Sequence, residues 1–281
     1  LRTKGKPLNI ESHLVGKVTR NPDLLDENSF LLIDSSISDL PSKNFMGVLS
    51  RQDEYEVKNG ENVVFKIPTL DHLTDGDIVS VGNDGNINTL YRVNSFHNTL
   101  LATERCNSNC LMCSQPPRDK NDIPIHYQIH KKLIPLIPKD CFELGISGGE
   151  PTLMGDLFFD LLSQIKTELP DTEIHVLTNG RSFAWNHMAE RLGELDYRRL
   201  MLGIPVYADY YQVHDYIVQA ENAFYQTILG LHNLARYNQR LEVRVVLHKQ
   251  SIPRLTRLAK YIYKNLPFVE HVTFMGLEYV G

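Results

Sequence analysis

From residue 98 onward the sequence alternates strand-like runs with amphipathic stretches about six times over, and that order admits few folds. "TLLATE", "FELGIS", "EIHVLT", "RLMLGIP", "LEVRVVL" and "HVTFM" are short runs rich in aliphatic and β-branched residues. Between them lie stretches such as "DLFFDLLSQIKTEL", "AFYQTILGLHNLARY" and "RLTRLAKYIYKNL", whose apolar residues recur at helical spacing. Strand then helix, repeated, is the pattern of parallel strands joined by right-handed crossovers. In such sheets the working residues stand on loops at the C-terminal ends of the strands. Three motifs fall there: "CNSNCLMC" (106–113), "GGEP" (148–151) and "TNG" (178–180).

The chain changes character near residue 98. Residues 1–97 are expected to form a small mainly-β domain, and residues 98–281 the repeated β/α units. In the first part "NFMGVLS", "NVVFKI" and "GDIVSVGNDGNINTLYRV" are short β-rich runs cut by turn signals, with Asn83-Asp84-Gly85 marking a hairpin. An antiparallel sheet or barrel is expected, which reads either as a cap on the β/α units or, through open edges, as a surface that would pair with an extended peptide. The formal charge of −5 over 281 residues gives no basic field for nucleic acid. No apolar stretch approaches the roughly 18 residues that span a bilayer, and "LRTKGKPLNI" lacks the apolar segment of a signal peptide. The expected location is the cytoplasm.

Three of the four cysteines, Cys106, Cys110 and Cys113, occupy one eight-residue loop. Reduced thiols at such spacing point to metal or redox chemistry rather than to a secreted disulfide framework. A structural zinc ion would need a fourth ligand, either Cys141 or a histidine such as His126. Cys141 precedes an apolar strand, where a cysteine reads as a small buried hydrophobe. An iron–sulfur cube is satisfied differently: three thiolates hold three irons, and the open fourth iron takes a small molecule.

The C-x3-C-x2-C spacing after the first of these strands, followed by "GGEP" after the second, resembles the radical S-adenosylmethionine (SAM) superfamily. The resemblance implies an α/β fold, a partial (β/α)6 barrel preceded by the small β domain. It also implies a 4Fe–4S cluster on Cys106, Cys110 and Cys113, with SAM at the unique iron and an external electron donor. Gly148 and Gly149 would allow close backbone approach and leave space for the methionine part of SAM, while Glu150 and neighbouring carbonyls would accept from its ammonium. Thr178 and Asn179 are candidates to touch SAM, and His248 and Met275 are candidates at its ribose and adenine. As ordinary strand-end residues all four would be equally at home.

Two positions depart from the family pattern. Met112 stands where an aromatic residue usually lies near adenine, and its flexible thioether would fill that space. Pro205 replaces a serine that the fourth strand often presents, and it offers no side-chain donor. His214 and Asp215 read either as polar groups facing substrate or as a helix cap and turn. Tyr207, Tyr210 and Tyr211 read either as a substrate mouth or as a cover on the barrel.

A narrower resemblance runs through both parts of the chain. "DGDIVSVGNDGNINTLYR", "LLATERCNSNCLMCSQPPRD" and "GIPVYADYYQVHDYIVQAENAFYQTILGLHNLARYNQRLEVRVVLHKQ" are similar to the His-Xaa-Ser system radical SAM maturases. That implies a ribosomally made precursor peptide as substrate, with His-Xaa-Ser repeats, and a second radical SAM enzyme as partner. A radical SAM synthase acting on a small molecule, and a non-enzymatic iron–sulfur sensing module, are the other readings.

Overall fold

The computed structural model describes residues 1–34, 44–55 and 60–277. The chain folds into two compact units, one of residues 1–99 with 128–139 and one of residues 100–127 with 140–281.

In the second unit the repeated pattern becomes strands β9 (Asn98–Leu101), β10 (Glu143–Ser147), β11 (Glu173–Leu177), β12 (Leu200–Pro205), β13 (Arg240–Leu247) and β14 (His271–Gly276), with β9 beginning just before the division. The helices are α1 (Ile123–Leu133), which crosses the division after Tyr127, α2 (Asp156–Glu168), α3 (Asn186–Glu194), α4 (Tyr211–Val218), α5 (Ala223–Arg236) and α6 (Leu255–Asn265). The sheet runs β14-β13-β12-β11-β10-β9, in unbroken chain order, and the pairs from β10 to β14 are parallel. A doubly wound sheet reverses its order at a switch point; strict order means that the winding never reverses, as in a barrel.

The two faces of the sheet differ in chemistry. Leu144 and Ile146 on β10, Ile174 and Val176 on β11, and Leu241, Val243 and Val245 on β13 are all buried. Their alternate neighbours Glu143, Glu173, His175, Arg240 and Arg244 are polar and partly exposed. Period-2 alternation thus gives β10, β11 and β13 an apolar face for helix packing and, on β11 and β13, a polar face toward the barrel interior. There Glu242 is buried and lies 2.7 Å from His175 Nε2, with Arg244 Nη1 donating to its Oε2 at 3.2 Å.

The first unit contains β1 (Arg2–Lys4), β2 (Lys6–Leu8), β3 (Leu14–Thr19), β4 (Ser29–Ile33), β5 (Gly47–Ser50), β6 (Val63–Phe65), β7 (Ile78–Val81) and β8 (Asn86–Tyr91). The expected hairpin joins β7 and β8, where Gly85 adopts φ +77°. The sheet is mixed rather than antiparallel, because β3–β4, β4–β5 and β5–β6 are parallel. Parallel strands are normally covered on both faces. Phe30, Leu32, Leu49 and Val64 enter one apolar cluster, and Leu31, Ile33, Val48 and Val63 from the same strands enter another.

Among the described residues the sheet does not present the open edges expected from the sequence. The strand order is β1-β8-β7-β3-β4-β5-β6-β2, and its two ends are consecutive in the chain, separated only by Gly5. One extended segment therefore pairs antiparallel with β8 through Arg2–Lys4 and with β6 through Lys6–Leu8, closing the sheet. Closure removes the edge that strand addition requires. Gly5 sits where the segment changes partner; its N–H donates to Gly85 O at 3.0 Å, and a Cβ on Gly85 would stand 2.2 Å from Gly5 O.

Candidate functional site

Each of the three sequence motifs follows a strand, and the loops converge. The backbone pairing of β9 and β10 continues past the strand ends, through Ala102 N to Ser147 O at 2.8 Å, Gly149 N to Thr103 O at 2.8 Å, and Glu150 N to Arg105 O at 2.8 Å. The cysteine loop thus leaves the sheet already bonded to "GGEP". Cys106, Cys110 and Cys113 line one cleft with Gly148, Gly149, Thr178, Asn179 and Met275. Eight of the eleven residues assigned from sequence therefore meet in one place. Three do not line it: Met112, Glu150 and His248.

The carboxylate of Glu150 is engaged within the protein. The residue is fully buried; its Oε1 accepts from Thr152 N (3.0 Å), Thr152 Oγ1 (2.7 Å) and Thr178 Oγ1 (2.6 Å), and its Oε2 accepts from Asn179 N (2.7 Å). Its carboxylate ties the end of β10 to the end of β11 rather than facing the cleft. The glycines also have a different reason from the one expected. A Cβ on Gly149 would stand 2.0 Å from Arg105 O and 3.1 Å from Cys106 Cβ, and one on Gly148, at φ +153°, 2.4 Å from Thr103 O. The close backbone approach is to the cysteine-bearing segment of the chain itself.

Met112 packs onto the cluster formed by Tyr207, Ile217, Val218 and Ala223, since an apolar side chain on this loop gains more by covering α4 than by facing the cleft. His248 is 8% exposed, with Nδ1 2.8 Å from Gln250 Oε1 and its ring 6.3 Å from that of Tyr207. Asp215 Oδ1 accepts from Phe224 N at 2.8 Å and so caps the start of α5, while His214 Nδ1 accepts from Tyr207 N at 3.3 Å. The pair does not open a helix as a cap and solvated turn: both residues lie inside α4, His214 is buried, and Asp215 serves the start of the next helix rather than of its own. Of the tyrosines, Tyr207 lines the cleft, Tyr210 lies under the Arg254 guanidinium at 4.1 Å, and Tyr211 stacks on Tyr225.

The sequence reading missed Arg244, which lines the cleft and donates through Nη2 to Met275 Sδ at 2.9 Å. The alternation of Arg240, Glu242 and Arg244 in "RLEVRVVL" was the signal, because it places all three on the face opposite Leu241, Val243 and Val245.

The donor set fits an iron–sulfur cluster. Among the described residues no three His, Cys, Asp or Glu side chains surround a point that a single metal ion would occupy. A cluster needs no such point, since each thiolate binds a different iron. His126 lies 3.6 Å from Asp122, and Cys141 is buried at the N-terminal end of β10, the far end from Gly148. Seven residue steps of nearly extended chain separate Cys141 from that glycine, roughly 20 Å. Burial, then the neighbouring thiols, pushes Cys110 up to about 12, and burial likewise raises Cys106. For Cys106 and Cys110 the protonated thiol is therefore favoured until cationic metal displaces the proton.

His214 carries a pH dependence. It is 2% exposed, and burial, then the Arg181 charge, lowers it from 6.5 to about 4. Between those values the unfolded chain binds a proton that the folded chain refuses. Stability contributed by the neutral imidazole is therefore complete above pH 6.5 and lost as pH falls toward 4, to about 3 kcal/mol. Denaturant unfolding across that window should show this loss in the parent and its absence in His214→Asn, whose Oδ1 can accept from Tyr207 N.

A fold of in-order parallel strands with three thiols and two glycines at its C-terminal mouth defines a class, and the match is direct: the model of the radical SAM superfamily fits residues 100–275. The chain belongs to that superfamily, whose members use a 4Fe–4S cluster and SAM. An uncharacterized protein of Methanocaldococcus jannaschii is 24% identical over 196 residues, covering 64% of this chain and 66% of that protein. Among solved structures, Streptococcus suis SuiB bound to SAM superposes with TM-score 0.51 at 16% identity, over 66% of this chain and 41% of SuiB. The protein anSMEcpe with bound SAM gives 0.50 at 17%, over 64% and 50%. The chain thus spans about two thirds of the curated relative and half or less of these two solved structures. Among the described residues no helix is long and apolar enough to cross a membrane.

Proposed function

We propose that the protein is a radical SAM enzyme that modifies a ribosomally made precursor peptide in the cytoplasm, and that Cys106, Cys110 and Cys113 hold its cluster. The convergence of the three cysteines with Gly148, Gly149, Thr178 and Asn179 in one cleft carries the reading. When bound, the reduced cluster supplies the electron that splits SAM into methionine and a 5′-deoxyadenosyl radical, which takes a hydrogen atom from substrate. The carbonyls of the glycine segment offer acceptors for the SAM ammonium, a role that Glu150 leaves to them. Met275, with Arg244 holding its sulfur, and Tyr207 supply the walls of the cleft.

The peptide half of the proposal rests on the three stretches similar to the His-Xaa-Ser system maturases. A second radical SAM enzyme and an electron donor are the partners it implies. Strand addition to the first unit no longer supports it, because that sheet is closed. The test is anaerobic co-expression with a small precursor bearing His-Xaa-Ser repeats, followed by mass spectrometry. A mass change that needs Cys110 supports the proposal. An unmodified peptide alongside active SAM cleavage shifts the reading to a small-molecule substrate.

A further inference from the structure

The cysteine loop is held from two sides over residues 107–111. On one side, Asn109 N and Leu111 N donate to Val218 O (3.0 Å) and Ile217 O (2.9 Å), carbonyls at the C-terminal end of α4. On the other, Asn179 Nδ2 donates to Asn107 Oδ1 at 2.6 Å, and Arg181 Nη1 donates to Asn107 O and, at 3.0 Å, to Ser108 Oγ. Arg181 is itself fixed: its Nε donates to Gln226 Oε1 on α5 at 2.7 Å, and its N–H donates to Asn179 Oδ1 at 3.0 Å.

A guanidinium stays charged at every working pH, so this clamp sets a permanent cation against the cysteine loop. We propose that Arg181 is a positioning residue of the cluster site that also raises the reduction potential of the cluster. The proposal rests on the assignment of the cluster to Cys106, Cys110 and Cys113. Reduction adds one negative charge, and a fixed cation nearby favours the reduced form; net charge and hydrogen bonding around the sulfurs are among the levers by which a protein sets such potentials. Arg244, which also lines the cleft, is engaged with Glu242 at 3.2 Å, so its charge is partly offset. Arg181 has neutral partners: Gln226, Ser108 and the Asn107 carbonyl.

Gln226→Glu separates charge from position. It keeps an acceptor for Arg181 Nε and adds a negative charge, leaving the bonds from Arg181 to the cysteine loop intact. Gln226→Leu removes the acceptor without adding charge. The parent, both variants, Arg181→Lys and Arg181→Met are reconstituted anaerobically, assayed for iron, and titrated with the paramagnetic signal of the reduced cluster as readout. In Gln226→Glu with full iron, the ratio of reduced to oxidised cluster at fixed potential should fall by threefold to tenfold, a tenfold fall being about 59 mV for a one-electron couple. Gln226→Leu and Arg181→Lys should stay near the parent, and Arg181→Met should fall. An unchanged ratio in Gln226→Glu, or equal shifts in Gln226→Glu and Gln226→Leu, overturns the proposal. If Gln226→Glu fails to take up iron, equal potentials in Arg181→Met and Arg181→Lys overturn it. A parent that takes up no cluster overturns the assignment itself, a result distinct from all of these.

Discussion

Gly149→Val is expected to cost the protein its iron as well as its SAM. Read as a motif, "GGEP" suggests that a side chain here would block only the cofactor. The geometry gives a larger effect: a Cβ would stand 2.0 Å from Arg105 O, 2.5 Å from Arg105 C and 3.1 Å from Cys106 Cβ. Real Cβ atoms do not approach a carbonyl so closely, and the obstacle is backbone rather than a side chain that can rotate away. The Arg105–Cys106 segment must move, and with it the hydrogen bond from Glu150 N to Arg105 O. Iron and sulfide after anaerobic reconstitution should drop from about four atoms of each per chain to below one. SAM affinity should fall with them. Full iron with SAM binding alone abolished would restore the simpler steric reading.

Glu150→Gln is the second large effect, and it should appear in stability before any effect on SAM. The carboxylate accepts four hydrogen bonds at 2.6–3.0 Å with no solvent exposure. In glutamine one of the two oxygens becomes an amide that faces a donor. The better rotamer loses the bond from Asn179 N and sets two N–H groups against each other, and the bonds that survive lose their charge assistance. The expected cost is about 3 kcal/mol in denaturant unfolding of the C-terminal unit. Thr178→Val, which removes one partner, should cost about 1–2 kcal/mol, and the double variant less than the sum because both act on one network. A glutamine variant as stable as the parent would mean that the carboxylate is not the clamp between β10 and β11.

What the sequence shows of this protein follows from the range of the interactions involved. Strand and helix periods are local, so "DLFFDLLSQIKTEL" and "LEVRVVL" read correctly in isolation as α2 and β13. The cysteine spacing is local too, and it was legible for the same reason. The placement of the Glu150 carboxylate was not legible, because its partners Thr178 and Asn179 lie 28 and 29 residues downstream and nothing in "GGEP" shows that it turns inward. Arg181 meets Asn107 across 74 residues and left no local trace beyond its place after "TNG". Closure of the first sheet was hidden for a related reason. The segment Arg2–Leu8 is too short to signal two partners, and its two registers, against Asn86–Asn88 and Val63–Phe65, exist only once β6 and β8 have been brought to opposite ends of the sheet.

On the proposed function, Cys106, Cys110 and Cys113, brought together at the mouth of the parallel sheet, form a working SAM-cleaving centre. The most direct measurement is 5′-deoxyadenosine release by anaerobically reconstituted protein with SAM and dithionite, made on the parent, Cys110→Ala and Cys141→Ala. The parent and Cys141→Ala should release deoxyadenosine, and Cys110→Ala should not. Release that survives in Cys110→Ala, or that disappears in a folded Cys141→Ala, would contradict the assignment.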